Sequence, residues 1–101
     1  MKIEILHIGD CPSWREAGTR VEAALVALRI HGSIEYRLLN TAADAAGTRF
    51  VGSPTILLNG DDLFPVMTRS ADLACRMYAT PDGLRGVPTT EQLVDALRQH
   101  G

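Results

Sequence analysis

Two cysteines, Cys11 and Cys75, offer the most distinctive chemistry in this 101-residue chain. A thiolate attacks disulfides and peroxides and binds soft metal ions, and it does so where its surroundings favour the charged form. Cys11 stands in Gly9-Asp10-Cys11-Pro12, directly before a helical pattern that opens with Ser13 and Trp14. Proline is favoured at the first helical position, where its missing N–H would have had no partner, so Pro12 at that position predicts Cys11 as the N-cap. Its sulfur then faces the free N–H groups of Ser13 and Trp14. These donors and the positive end of the helix dipole favour the thiolate, while Asp10 opposes them by charge repulsion. His7, near the end of the preceding strand, offers a proton acceptor, although a packed or surface histidine is the commoner outcome for such a position.

The rest of the chain says where that chemistry operates. A net charge of −2 leaves no clustered excess of Lys and Arg, which argues against a nucleic-acid partner. Met1-Lys2-Ile3-Glu4-Ile5 carries no long apolar run, so neither a signal segment nor a membrane partner is expected, and a cytoplasmic location follows by default. Two cysteines are too few for a disulfide scaffold, and in a reducing compartment any bridge between them is expected to be transient and chemical. Apolar residues at 46% and charged residues at 22% predict one folded domain over 1–101. No cofactor and no metal-ligand set is expected.

The elements that must position Cys11 follow from hydrophobic periodicity. Residues 2–8 become nearly continuously apolar, as in a strand buried on both faces. Trp14, Ala17, Val21, Ala24, Leu25 and Leu28 recur at helical spacing to about residue 31, where His31-Gly32-Ser33 ends the helix. Ile34, Tyr36 and Leu38 then alternate with Glu35 and Arg37 in a second strand. Such a β-α-β unit is parallel with a right-handed crossover, so Cys11 lies at the edge where the first strand ends. Residues 41–50 predict a short helix or helical loop. Thr55-Ile56-Leu57-Leu58 and Leu63-Phe64 flank Asn59-Gly60-Asp61-Asp62, a hairpin turn sequence, and Pro65 suits an edge strand. Residues 66–88 read as an insertion, with Met67, Leu73, Ala74, Met77 and Tyr78 predicting a short helix before a Gly- and Pro-bearing run. Thr89 and Gln92 form a capping-box pattern ahead of a last helix with Leu93, Val94 and Leu97 on its apolar face. The predicted class is α/β, with a mixed four-stranded sheet.

This order, with Cys-Pro at the first strand-to-helix junction and Ser-Pro-Thr just before the hairpin, resembles the thioredoxin-like superfamily over nearly the whole chain. The segments around Phe50–Thr55, Cys75–Tyr78 and Gly83–Pro88 also look like a group of small, poorly characterised bacterial thioredoxin-like proteins. The family motif is Cys-x-x-Cys; here Cys11-Pro12-Ser13-Trp14 keeps the first cysteine and has Trp14 in place of the second. Pro54, in Gly52-Ser53-Pro54-Thr55, matches the family's cis proline beside the first cysteine. The resemblance implies a cis Ser53–Pro54 bond that leaves Ser53 and Thr55 backbone groups free for an extended substrate. It also implies that Pro12, Trp14, Ser53, Pro54 and Thr55 contact that substrate, with Trp14 either forming a wall of the groove or simply packing on the sheet.

Topology then locates Cys75. If the third strand starts at Pro54 beside Cys11 and runs away, the fourth returns, and the insertion at 66–88 emerges near Cys11. Cys75 becomes a candidate resolving cysteine if its Cα comes within roughly 7 Å of that of Cys11; the alternative is a buried helical cysteine packed on Leu73, Met77 and Tyr78. Arg76 and Arg85 are expected to be solvated, or to stabilise a thiolate or a substrate anion. The leading expectation is a thiol-based redox protein, a thiol-disulfide oxidoreductase or a peroxide-reactive thiol, with Cys11 as the nucleophile. It would act on a thiol or disulfide substrate, protein or low-molecular-weight, and draw on an external reductant. The alternatives are a non-catalytic binding module using the Pro54 groove, and a soft-metal thiol protein for mercury or copper.

Overall fold

The computed structural model describes residues 1–9, 11–65 and 74–100. Its element order is β1 (Lys2–His7), α1 (Ser13–Leu28), β2 (Ser33–Leu38), α2 (Ala42–Ala46), β3 (Thr55–Leu58), β4 (Asp61–Asp62), β5 (Tyr78–Thr80), β6 (Gly83–Arg85) and α3 (Thr90–His100). The first four strands form one sheet in the order β2-β1-β3-β4. β1 pairs parallel with β2 and antiparallel with β3, and β3 pairs antiparallel with β4, so the sheet is mixed and four-stranded as expected. No helix among the described residues is long and apolar enough to cross a membrane.

Successive side chains of a strand point to opposite faces, and β1 uses both. Ile3 and Ile5 join Ala17, Val21, Ala24 and Leu25 of α1 and Leu93 and Leu97 of α3 in one buried cluster. Leu6 and Ile8 face the other way and pack with Leu57, Ala45, Phe50 and Cys11. Each fully buried Ile or Leu contributes roughly 1.5–3 kcal/mol, so these two clusters hold the sheet between α1 and α3 on one side and α2 on the other. Cys11 thus belongs to the α2-side core although it lies next to the helix on the opposite face.

The capping chemistry explains most boundaries. Thr89 and Gln92 exchange hydrogen bonds at 2.9 and 3.0 Å, the capping box read from the sequence. Thr41 and Asp44 form a second box that fixes the short α2. Asn59 and Gly60 both have positive φ, 50° and 92°, as a two-residue turn between antiparallel strands requires.

Three expectations need correction. α1 ends at Leu28 rather than near residue 31, because Arg29 enters the left-handed region and the N–H groups of Arg29 and Ile30 close on Val26 and Leu25 carbonyls. β4 is Asp61–Asp62, part of the expected turn sequence, since the turn needs only Asn59 and Gly60; Leu63 and Phe64 follow the strand. Tyr78 is not helical. It opens a separate two-stranded hairpin, β5–β6, turned through Pro81 and Asp82. Asp10, Met67 and Leu73, and with them the start of the expected helix in the insertion, lie outside the described residues.

Candidate functional site

Cys11 and Cys75 are joined by a disulfide, with their Cα atoms 5.9 Å apart across a sequence separation of 64. The separation lies within the roughly 7 Å that a disulfide requires. Ser53–Pro54 is cis, as the sequence resemblance implied.

The helix start differs from the expectation by one residue. α1 begins at Ser13 and Pro12 is its N-cap, already in helical conformation (φ −76°, ψ −5°), with no side-chain cap. The Pro12 carbonyl accepts from the Arg15 N–H at 3.3 Å. Cys11 consequently stands just outside the helix, and its sulfur is committed to Cys75 rather than to the N–H groups of Ser13 and Trp14.

Ser53 is the hub that brings the two cysteine segments together. Its hydroxyl accepts from the Ile8 N–H at 3.1 Å, tying it to the end of the strand that leads to Cys11. Its backbone forms a parallel bridge with Cys75: the Ser53 N–H donates to the Ala74 carbonyl at 2.8 Å, and its carbonyl accepts from the Arg76 N–H at 2.9 Å. Thr55 is paired with Leu6 in the sheet, and its hydroxyl donates to the Gly52 carbonyl at 2.6 Å and accepts from the Val51 N–H. The expectation that cis-Pro54 would leave both backbones open to substrate is thus corrected. The chain's own segment 74–76 already occupies Ser53, and β1 occupies Thr55.

Gly52 makes that approach possible. It has φ +119°, and a Cβ placed on it would lie 2.7 Å from the Arg76 Cβ and 3.1 Å from its Cα. Only glycine both adopts this backbone and leaves room for the incoming strand.

Arg76, expected at the solvated surface, is 6% exposed. Its guanidinium pairs with Asp62 at 2.9 Å, donates to the Phe64 carbonyl, and lies over the Tyr78 ring at 4.5 Å from the centroid. Tyr78 in turn is buried and donates its hydroxyl to the Pro54 carbonyl. Burial pushes its phenol well above the ordinary range; the Arg76 charge works against this shift and the Asp62 charge adds to it. Asp62, Arg76 and Tyr78 therefore fasten the Cys75 segment to the sheet from below. Sequence reasoning missed this set, because a lone arginine in a polar insertion carries no signal of burial; the one available hint was the acidic pair Asp61-Asp62. Arg85 is exposed, as expected.

Two further predicted site residues follow Cys11 at the start of α1. Pro12 is exposed. Trp14 is half-buried and stacks on His7, with ring centroids 4.3 Å apart and planes at 19°. It also meets Tyr36 edge-on at 5.4 Å and lies under the Arg15 guanidinium at 5.1 Å. These contacts pack Trp14 against β1 and β2.

His7 is 6% exposed, and among the described residues its Nδ1 has no hydrogen-bond partner. Desolvation lowers its pKa below 6.5, with a hydrogen bond to the Ile8 backbone opposing the shift. The unfolded chain then binds a proton at His7 more readily than the folded one, so the stability linked to His7 is fully present above pH 6.5 and is lost as the pH falls below it. Urea midpoints measured from pH 7.5 to 5 should show this decline, and His7→Phe, which keeps the stack on Trp14, should flatten it.

Below the helix start, a cavity of about 560 Å³ opens between α1, the β5–β6 hairpin and the start of α3. Ser13, Glu16, Arg20, Asp82, Arg85 and Glu91 line it with both signs of charge. Compared with known proteins, the chain matches no family model, no curated protein and no solved structure.

Proposed function

We propose that this chain is a thioredoxin-like thiol-disulfide redox protein in which Cys11 and Cys75 form a reversible two-electron couple. The observation that carries the reading is the bridge itself. It joins the first strand-to-helix junction to a segment that is hydrogen-bonded on both sides to Ser53, the residue before cis-Pro54. The mixed sheet, with its parallel β1–β2 crossover and antiparallel β3–β4 hairpin, supports the same family. In place of the Cys-x-x-Cys pair, the second thiol comes from 64 residues downstream. The partners are a thiol or disulfide, protein or low-molecular-weight, and an external thiol reductant. When the bridge opens to two thiols it gains two electrons, and two thiols of the substrate or the reductant lose them and join as a disulfide.

The test is a redox titration. Protein equilibrated in graded ratios of reduced to oxidised dithiothreitol and then alkylated should pass through one transition between a bridged form and a form carrying two labels. It should also accelerate insulin reduction by dithiothreitol, and both Cys11→Ser and Cys75→Ser should abolish the acceleration. A folded protein whose cysteines never bridge, or whose bridge no thiol buffer opens, would remove this reading.

A further inference from the structure

Burial divides the two sulfur-bearing residues sharply. Cys11 is 2% exposed and sits in the α2-side core with Leu6, Ile8, Leu39, Phe50 and Leu57. Cys75 is exposed. Thiol-disulfide exchange is an in-line displacement, so the attacking thiolate must reach one sulfur from the side opposite its partner, and access decides which. Cys11 is packed in the core as a whole residue, whereas Cys75 is open to solvent, so an external nucleophile reaches the bridge from the Cys75 side.

The hold on Cys75 does not depend on the bridge. Ala74 and Arg76 are hydrogen-bonded to Ser53 on either side of it, the Arg76 side chain is fixed by Asp62 and Phe64, and Gly52 closes against the Arg76 backbone. These contacts anchor the backbone that carries Cys75 beside Ser53 without using the disulfide.

We infer that the two cysteines work in the order opposite to their place in the sequence: Cys75 exchanges with external thiols and disulfides, and Cys11 is the shielded resolving cysteine. This assignment rests on the redox reading proposed above. In reduction of the bridge, an external thiolate forms a bond to the Cys75 sulfur, the Cys75–Cys11 bond breaks, and Cys11 leaves as a thiolate. A second external thiolate attacks the external sulfur of the mixed disulfide and releases Cys75, so that two thiols lose two electrons and become one disulfide. In the other direction the Cys75 thiolate attacks a substrate disulfide, and Cys11 then attacks the Cys75 sulfur, re-forming the bridge and expelling the second substrate thiol. The nucleophile's role, expected at Cys11, passes to Cys75.

Oxidised wild-type protein treated briefly with limiting glutathione, quenched with acid and N-ethylmaleimide, and mapped by peptide mass spectrometry should carry glutathione on Cys75 and maleimide on Cys11. Folded Cys11→Ser should also react with oxidised glutathione at least about tenfold faster than Cys75→Ser, as access controls the rate. Glutathione on Cys11, or a reversed or equal order of rates, would overturn the assignment and leave the redox couple standing. A bridge that glutathione and dithiothreitol both fail to open would remove the couple and the assignment together. Should a serine variant fail to fold, the wild-type adduct map decides alone.

Discussion

Reducing the Cys11–Cys75 bridge should lower the unfolding free energy of this protein by about 4 kcal/mol. That figure follows from the loop-closure entropy of a cross-link spanning 64 residues, which the unfolded chain recovers when the link is broken. It is a large share of what a domain of this size possesses, since native stability is usually about 5–15 kcal/mol. The measurement is a pair of urea unfolding curves with and without reductant. Wild type should lose about 4 kcal/mol on reduction, Cys75→Ser should show the lower value under both conditions, and its m-value should rise as the unfolded chain expands. If reductant changes the wild-type midpoint no more than it changes that of Cys75→Ser, the bridge contributes nothing to folding.

Arg76→Met should be the second costly change, at about 3 kcal/mol, because breaking a buried ion pair leaves the remaining charge without its partner. Asp62 keeps one bond in the variant, accepting from the Phe64 N–H at 2.8 Å, but faces an uncharged side chain in a largely buried place. The loss should therefore be partly repaired by adding Asp62→Asn, which retains that acceptor and removes the charge. Urea curves on the two variants test the ordering. A single variant as stable as wild type would show that the Asp62 pair does not fasten the segment; a double variant less stable than the single would show that the unpartnered charge is not what costs.

The framework was legible in the chain because its signals are local and agree with one another. The alternating and then nearly continuous apolar pattern of 2–8, helical spacing from Trp14, Asn59-Gly60 at a turn, and Thr89 three residues before Gln92 each specify one backbone outcome. Strand direction, with Pro54 placed beside Cys11 by the resemblance, then made Cys75 a candidate neighbour of Cys11. What escaped depends on contacts between distant residues. Arg29 ends α1 in a conformation that glycine usually supplies, and Gly32, three residues on, drew the boundary too late. The β5–β6 hairpin is exposed apart from Tyr78, Thr80 and their contacts, so it lacks the alternation that marks a half-buried strand. Burial of Arg76 against Asp62, and with it the occupation of Ser53 by 74–76, has no counterpart in any short window of sequence.

The bridge also sorts the chain into two covalent fates. Sheet, α1 and α2 all lie between or before the linked cysteines, while β5, β6 and α3 follow Cys75. A protease that cuts anywhere between Pro12 and Ala74 in the oxidised protein severs a ring and releases nothing. A cut after Cys75 frees a fragment bearing α3, which is then held by noncovalent contacts alone, among them Val87, Leu93, Ala96 and Leu97 in the α1 cluster and the Arg20 side chain on the Pro88 carbonyl. The same nick inside the ring would yield two separate pieces once a thiol had opened it, so the redox state decides whether damage to this backbone is silent or final.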